Sequence, residues 1–141
     1  MQLNDFLDRV YPSHEAPCWA FVRDVYYHLK DVELLRVGIS GHNKTAIRKA
    51  FKTHLMRGWF EPTDKPTELD IVGMCDVGDD ECNLTHAGIW MPPDKSIFAL
   101  RNGLIMHAVH GGVTSIPPDR LAHFNLKLYK FYRYNNATDS I

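Results

Sequence analysis

Two stretches in the first half of the chain have the hydrophobic periodicity of amphipathic helices. From Pro17 to about Leu29 the apolar residues recur every three or four positions, and a proline suits the first turn of a helix. From about Lys44 to Arg57 a second apolar stripe follows a good N-cap residue and stops near Gly58. The pattern therefore predicts two helices, the first of which carries Cys18 at its N-terminus.

After Pro66 the pattern changes to short runs of β-branched and aromatic residues separated by turn residues. Tight turns are predicted at Val77-Gly78-Asp79-Asp80 and at Asn102-Gly103. Helices followed by strands indicate an α+β fold, in which an antiparallel meander is covered on one face by the Cys18 helix. The final strand, NLKLYKFYRY, suits a sheet edge or a partner contact. The predicted strands are about Leu69 to Val77, Leu84 to Met91, Ser96 to Leu100, Leu104 to Val109, Val113 to Ile116 and Asn125 to Tyr134.

Length and charge narrow the classes of partner. The 141 residues suit a single domain spanning positions 1–141, since folded units run roughly 100 to 200 residues. A net charge of −1 provides no global field for nucleic-acid binding, and no segment has the apolar length of a membrane span. The opening MQLNDFLDRVYPSH lacks the features of a signal peptide. We expect no nucleic-acid partner, no membrane span and no export by the general route.

Cys18 is the candidate nucleophile of the chain. The thiolate is the reactive form of cysteine, and a helix N-terminus favours that anion through its exposed N–H groups and macrodipole. A thiol nucleophile also needs a base within hydrogen-bond reach, for which histidine is the usual choice because its pKa lies near neutrality. The predicted sheet provides two such histidines, His86 and His107.

Strand alternation assigns a face to each of these histidines. In LTHAGIWM, His86 shares a face with Leu84, Gly88 and Trp90, and the missing side chain of Gly88 leaves a notch through which the helix end and its cysteine approach the imidazole. In LIMHAV, His107 lies where a neighbouring strand brings its ring beside that of His86. One ring then orients the other, which completes a candidate Cys-His-His site.

In this order and spacing, PCWAFVRDVY, THAGIWM and LIMHAVHGGV resemble the NlpC-type cysteine peptidases, a papain-like family that cuts peptidoglycan stem peptides. The resemblance spans nearly the whole chain. It implies a papain-like α+β fold with Cys18 as nucleophile, His86 as general base and acid, and His107 as the residue that fixes the tautomer of His86. We expect no cofactor and no metal.

The phage-tail-associated branch of that family is the most similar, because it also has Cys-Trp before Phe-Val-Arg-Asp-Val-Tyr, Gly-Gly-Val after His-Ala, and a closing Tyr-Arg-Tyr. The resemblance implies an endopeptidase at the tip of a virion tail, assembled in the host cytoplasm. Its partners would be the peptidoglycan stem peptide and other tail-tip proteins. An amidase that cuts before the first alanine of the stem would use the same residues. The alternative is a catalytically silent adaptor or plug of the tail tip.

The chain departs from the family pattern at several positions, among them Ala20 in place of a glycine and a longer loop between His86 and His107. Pro17 stands where the family has Asp or Ser, a side chain that helps to hold the free amine of the stem peptide. Leu69-Asp70 replaces a Gly-Asp pair before the first strand, and Tyr11 is the only candidate for a tyrosine that the family places upstream of the cysteine. The Pro17 substitution makes the adaptor a serious alternative.

Other histidines and cysteines need no catalytic role. His110 is a weaker substitute for His107, and the others are expected to be structural or solvated. Cys75 and Cys82 flank the Gly78 turn, where a zinc site, a disulfide and two small core residues are all conceivable. The six intervening residues argue against zinc, so we expect two core residues, and at least one of the three thiols must stay free. The remaining histidines are His14, His28, His42, His54 and His123.

Overall fold

A computed structural model describes residues 1–12, 14–53, 58–94, 96, 101–109 and 112–135. Two α-helices come first in the chain, and six strands follow. Short 3₁₀ helices occupy Leu3–Phe6 and Pro118–Phe124. The larger elements are α1 (Pro17–Leu29), α2 (Lys44–Thr53), β1 (Phe60–Thr63), β2 (Ile71–Asp76), β3 (Leu84–Met91), β4 (Leu104–Val109), β5 (Gly112–Ile116) and β6 (Leu126–Tyr134).

The described strands form one antiparallel sheet in the order β1-β6-β2-β3-β4-β5. Strands β2 to β5 follow the predicted meander, and the α+β class is confirmed. The last strand inserts between β1 and β2, where Tyr132 pairs with Pro62 on one side and with Ile71 on the other. The prediction that this segment forms a sheet edge is therefore wrong, because both of its sides are hydrogen-bonded.

Local patterns predicted several elements with their bounds. The structure confirms α1, β3 and β4 at the predicted residues, and α2 begins at Lys44 as expected. Strand β1 was not predicted. The end of the second predicted helix, 54–57, and most of the predicted strand 96–100 lie outside the described residues. In the described part of the chain, no helix combines the length and apolar character needed to cross a bilayer.

The two faces of the sheet bury different clusters. On one face, α1 packs its apolar stripe against β3 and β4, and Val22 and Ile89 are fully buried there. On the other face, Trp90 packs in a second cluster with Leu121 from the 3₁₀ helix Pro118–Phe124. Burial on both faces fixes the alternation of β3, because a one-residue slip would exchange its two sets of side chains.

A disulfide joins Cys75 and Cys82 across the turn between β2 and β3, with their Cα atoms 5.3 Å apart. The expectation that the two are separate core residues is wrong, because the turn at Gly78 brings both sulfurs together across the hairpin. Neither sulfur is then a free thiolate for zinc. Cys18 is the remaining free cysteine, in agreement with the prediction that at least one thiol stays unpaired.

Helix α2 is anchored to the same hairpin through Asp76. Its carboxylate accepts hydrogen bonds from Lys44 Nζ at 3.0 Å, from Arg48 Nη2 at 3.1 Å and from Thr85 Oγ1 at 3.2 Å. Desolvation raises the pKa of this carboxyl, but Lys44, Thr85 and Arg48 together outweigh it and hold the pKa below its ordinary value. Asp76 therefore stays ionised and ties α2 to the strand that carries His86.

Candidate active site

Cys18 lies in the first turn of α1, with its side chain only 4% exposed. Ala16 is the N-cap residue and Pro17 takes the first helical position, where a missing N–H costs no helical hydrogen bond. Three backbone N–H groups face the sulfur: those of Cys18 and Trp19 from the helix, and that of Ala87 from β3. The local sequence therefore directs the thiol of Cys18 onto β3.

The thiol of Cys18 is protonated at neutral pH in this structure. Burial raises its pKa to about 11, because removal from water disfavours the thiolate more than the three N–H groups favour it. Glu15 adds a smaller effect of the same sign. A helix N-terminus alone does not activate the sulfur here.

The rings of His86 and His107 are hydrogen-bonded to each other. His86 Nε2 lies 2.9 Å from His107 Nδ1, and the ring planes are nearly perpendicular at 88°. His107 is fully buried, whereas His86 is half-buried. The pair forms a polar contact between β3 and β4, in which the buried ring of His107 packs against the half-buried ring of His86.

Both imidazoles are neutral at pH 7. Burial lowers the pKa of His86 to about 3, and its electrostatic interactions with the His107 ring and with the Lys44 ammonium act in the same direction, against a smaller opposing effect of Asp76. Burial lowers the pKa of His107 to about 4. Since one uncharged ring must donate to the other, the pair holds one shared hydrogen bond and no net charge.

The notch predicted at Gly88 is not open to α1. A Cβ built at Gly88 would lie 2.8 Å from Met106 O and 3.2 Å from Met74 Cε. His86 pairs with Met74 and alternates with Gly88, so both belong to the face that α1 does not cover. The expectation that the helix end enters at Gly88 is wrong, because the space is filled from β2 and β4.

A bulge also changes the predicted face of Leu84. Between Met74 and Cys75 the pairing shifts, so that Cys75 faces Leu84 while Met74 faces His86. Leu84 therefore lines the cavity under α1 and does not share the face of His86. The bulge was not visible in the sequence because its residues keep an ordinary strand pattern.

Cys18 nevertheless lies against the part of β3 that carries His86. The sulfur contacts the N–H of Ala87, the residue directly after His86. The ladder between β3 and β4 pairs Ile89 with Met106 and does not continue to His86, so the strands part at this level. Among the described residues, no imidazole is hydrogen-bonded to Cys18 Sγ, so the structure joins the two histidines but not the complete triad.

An apolar cavity of about 80 Å³ lies on the α1 side of the sheet, next to the sulfur. It is bounded by α1, α2 and the inner face of the sheet. Its walls are hydrocarbon, which accounts for the protonated state of the thiol. Its lining includes Cys18, Trp19, Ile47, Phe51, Gly73 and Ala87.

The other residues of the predicted site have identifiable partners. Tyr11 Oη donates to Asp24 Oδ2 at 2.6 Å, and burial raises the pKa of the phenol. Asp70 is 2% exposed and accepts from Arg133 Nη2 at 2.9 Å. Leu69 adopts φ +70°, a left-handed backbone that favours glycine.

Sequence reasoning missed Phe124, whose ring lies 4.7 Å from that of His107 at 88°. Nothing in IPPDRLAHFN signals this contact, because it joins the 3₁₀ helix before β6 to β4. Among the remaining histidines, His14 contacts Arg36 and His28 contacts Asp24. The alternative residue His110 lies outside the described residues, as does His54.

Comparison of the chain with protein-family models, with curated proteins and with solved structures gives no match. Within the described ranges, no three His, Cys, Asp or Glu side chains converge as metal ligands.

Proposed function

We propose that this protein is a cysteine endopeptidase that cuts peptidoglycan stem peptides from the tip of a phage tail. Cys18 is its nucleophile, His86 its general base and acid, and His107 the residue that orients His86. One observation carries the proposal: a free cysteine at a helix N-terminus contacts Ala87 N–H, and the preceding residue, His86, is hydrogen-bonded to a second, buried histidine. Strongly shifted pKa values, such as those of these two imidazoles, cluster at functional sites.

The conformation of Leu69 supports the resemblance independently of the site. The NlpC-type pattern has glycine before the aspartate that precedes the first of its strands, and Leu69 holds φ +70° at that position. A branched residue in the left-handed region costs roughly 1 kcal/mol relative to glycine. The backbone therefore retains the shape that glycine would favour, although the side chain has changed.

The chemistry proceeds from uncharged groups. As Cys18 Sγ attacks the carbonyl carbon of the stem-peptide amide, the thiol proton passes to His86 Nδ1, and the N–H of Cys18 receives the developing oxyanion. His86 then protonates the leaving amine, the C–N bond breaks, and water hydrolyses the thioester. Pro17 offers no side chain to the substrate amine. Because His86 lies on the face of β3 away from α1 and its ring has no bond to the sulfur, substrate binding must also shift β3 where it parts from β4, so that His86 Nδ1 reaches the sulfur.

The test is digestion of purified sacculi, with mass spectrometry of the released muropeptides. We expect products of the wild type that are absent with Cys18→Ala and with His86→Ala, while the exposed-site control His123→Ala remains active. Cleavage between D-γ-glutamate and the diamino acid identifies an endopeptidase. Cleavage between the lactyl group and the first alanine identifies an amidase that uses the same residues.

The second candidate is a silent adaptor of the tail tip, and the buried thiol favours it. Cys18 has a raised pKa and, among the residues that the structure describes, no hydrogen-bonded imidazole, and Pro17 replaces a substrate-binding side chain. An adaptor requires the fold but no thiolate. If no Cys18-dependent product appears from walls of several chemotypes, the endopeptidase is contradicted and the adaptor is supported.

A further inference from the structure

Phe124 covers the buried member of the histidine pair. It is the last residue of the 3₁₀ helix Pro118–Phe124, which ends at Asn125 in the left-handed conformation. Its ring is 37% exposed, whereas His107 beneath it is fully buried. The two ring centroids are 4.7 Å apart and the planes stand at 88°. The backbone turn thus presents a partly exposed aromatic ring to His107.

His107 has one ring nitrogen without a conventional partner. Its Nδ1 contacts His86 Nε2 at 2.9 Å, whereas its Nε2 is buried with no hydrogen-bond partner in the described part of the chain. A neutral imidazole carries its proton on one of the two nitrogens, and a buried N–H without an acceptor is unfavourable. The negative face of an aromatic ring can accept such an N–H.

We propose that Phe124 is a positioning residue whose ring face accepts the Nε2–H of His107. With its proton on Nε2, His107 offers the lone pair of Nδ1 to the Nε2–H of His86. His86 Nδ1 then carries no proton, as a general base for Cys18 requires. The catalytic meaning of this arrangement rests on the proposed function, but the tautomers are properties of the resting protein and can be measured without substrate.

The experiment is long-range ¹H–¹⁵N NMR of the full chain labelled at histidine, at pH 7, where both rings are uncharged. In the wild type we expect protonated Nε2 and unprotonated Nδ1 in both His86 and His107. Phe124→Leu should move the tautomer ratio of His107 by about 2- to 5-fold towards Nδ1–H, since N–H···π contacts are weak. Phe124→Tyr should retain the wild-type ratio. Phe131→Leu is the matched control, because Phe131 makes an edge-on ring contact with Trp90, not with His107, at a centroid distance of 5.1 Å.

Two results would overturn the inference. One is a wild-type His107 protonated on Nδ1, and the other is a folded Phe124→Leu variant with wild-type tautomers. If that variant does not fold, Phe124→Met replaces it, and the wild-type spectrum still decides the first point. If the wild type leaves sacculi undigested but shows the expected tautomers, the peptidase is contradicted and the role of Phe124 is not. If the wild type digests sacculi but its His107 is protonated on Nδ1, the role of Phe124 is contradicted and the peptidase is not.

Discussion

At the scale of single residues, β3 divides the candidate site between its two faces. Ala87 presents its N–H to Cys18, while the neighbouring His86 alternates with Gly88 on the face away from α1. The site therefore depends on where the strand parts from β4, and small changes of backbone position at this level affect both the sulfur and the imidazole. Gly88 is the residue at which such a change can be introduced most simply.

Gly88→Ala should lower the free energy of unfolding by about 1–3 kcal/mol, the usual cost of overpacking. The added methyl group would lie 2.8 Å from a backbone oxygen, Met106 O, and 2.9 Å from Ile105 Cγ2. Urea denaturation measures the change. Gly78→Ala is the matched control, because nothing lies within 4 Å of its Cβ position, and it should stay within about 0.5 kcal/mol of the wild type. Equal stability of the two variants would contradict the packing around Gly88.

The alkylation rate of Cys18 should rise with pH towards a midpoint near 11, because burial raises its pKa to about 11. Cys75 and Cys82 form a disulfide, so mass spectrometry after iodoacetamide treatment without reductant follows Cys18 alone. The unfolded chain provides the control, with a midpoint near the ordinary thiol value of 9.0. A midpoint in the folded protein below that of the unfolded chain would show that the resting thiol is already activated.

At the scale of elements, local patterns determined what could be predicted. The bounds of α1 and β3 follow from hydrophobic spacing and from the proline at the helix start, all of which lie within a few neighbouring residues. Strand β1 escaped prediction because FEPT is short, contains Pro62 and is held by pairing with β6, more than sixty positions away. The contact between Phe124 and His107 could not be predicted from the sequence for the same reason, because it forms only when elements distant in the chain pack together.

Reduction of the Cys75–Cys82 disulfide should lower the free energy of unfolding by about 2–3 kcal/mol, because the unfolded chain regains the conformational entropy that a closed loop of this length removes. The hairpin also carries the bulge beside His86, so reduction acts on the candidate site. Denaturation with and without a phosphine reductant measures the effect. Cys82→Ala is the control, because its stability should not respond to reductant. A wild type that is equally insensitive would contradict the bridge.

At the scale of the whole molecule, the pH range of greatest stability is set by buried neutral groups. His86 and His107 have folded-state pKa values of about 3 and about 4, below the ordinary 6.5, so the unfolded chain binds protons first as the pH falls. Cys18 acts at the opposite end, because its pKa of about 11 exceeds the ordinary 9.0 and the unfolded chain loses its proton first as the pH rises. Stability should therefore be greatest between these two limits.

The free energy of unfolding should fall as the pH drops below 6.5, by up to about 1.4 kcal/mol per pH unit for each histidine. The free energy of unfolding should fall again above about pH 9. Denaturation over a pH series measures this alkaline decrease and the acid decrease, here called the acid limb. His86→Gln should make the acid limb shallower, whereas His123→Gln, at an exposed position, should leave it unchanged. An acid limb that does not respond to His86→Gln would show that other groups control it.

The position of β6 between β1 and β2 bears on the order in which the sheet forms during synthesis. Strand β1 leaves the ribosome early, but its only described partner in the sheet is the strand that leaves last. Until residues 126–134 have been synthesised, the backbone groups of residues 60–63, and those of β2 on the side that pairs with β6, therefore lack these strand partners. The nascent chain closes its sheet only when the segment 126–134 arrives, so the last strand to be synthesised completes the framework that holds the earliest one.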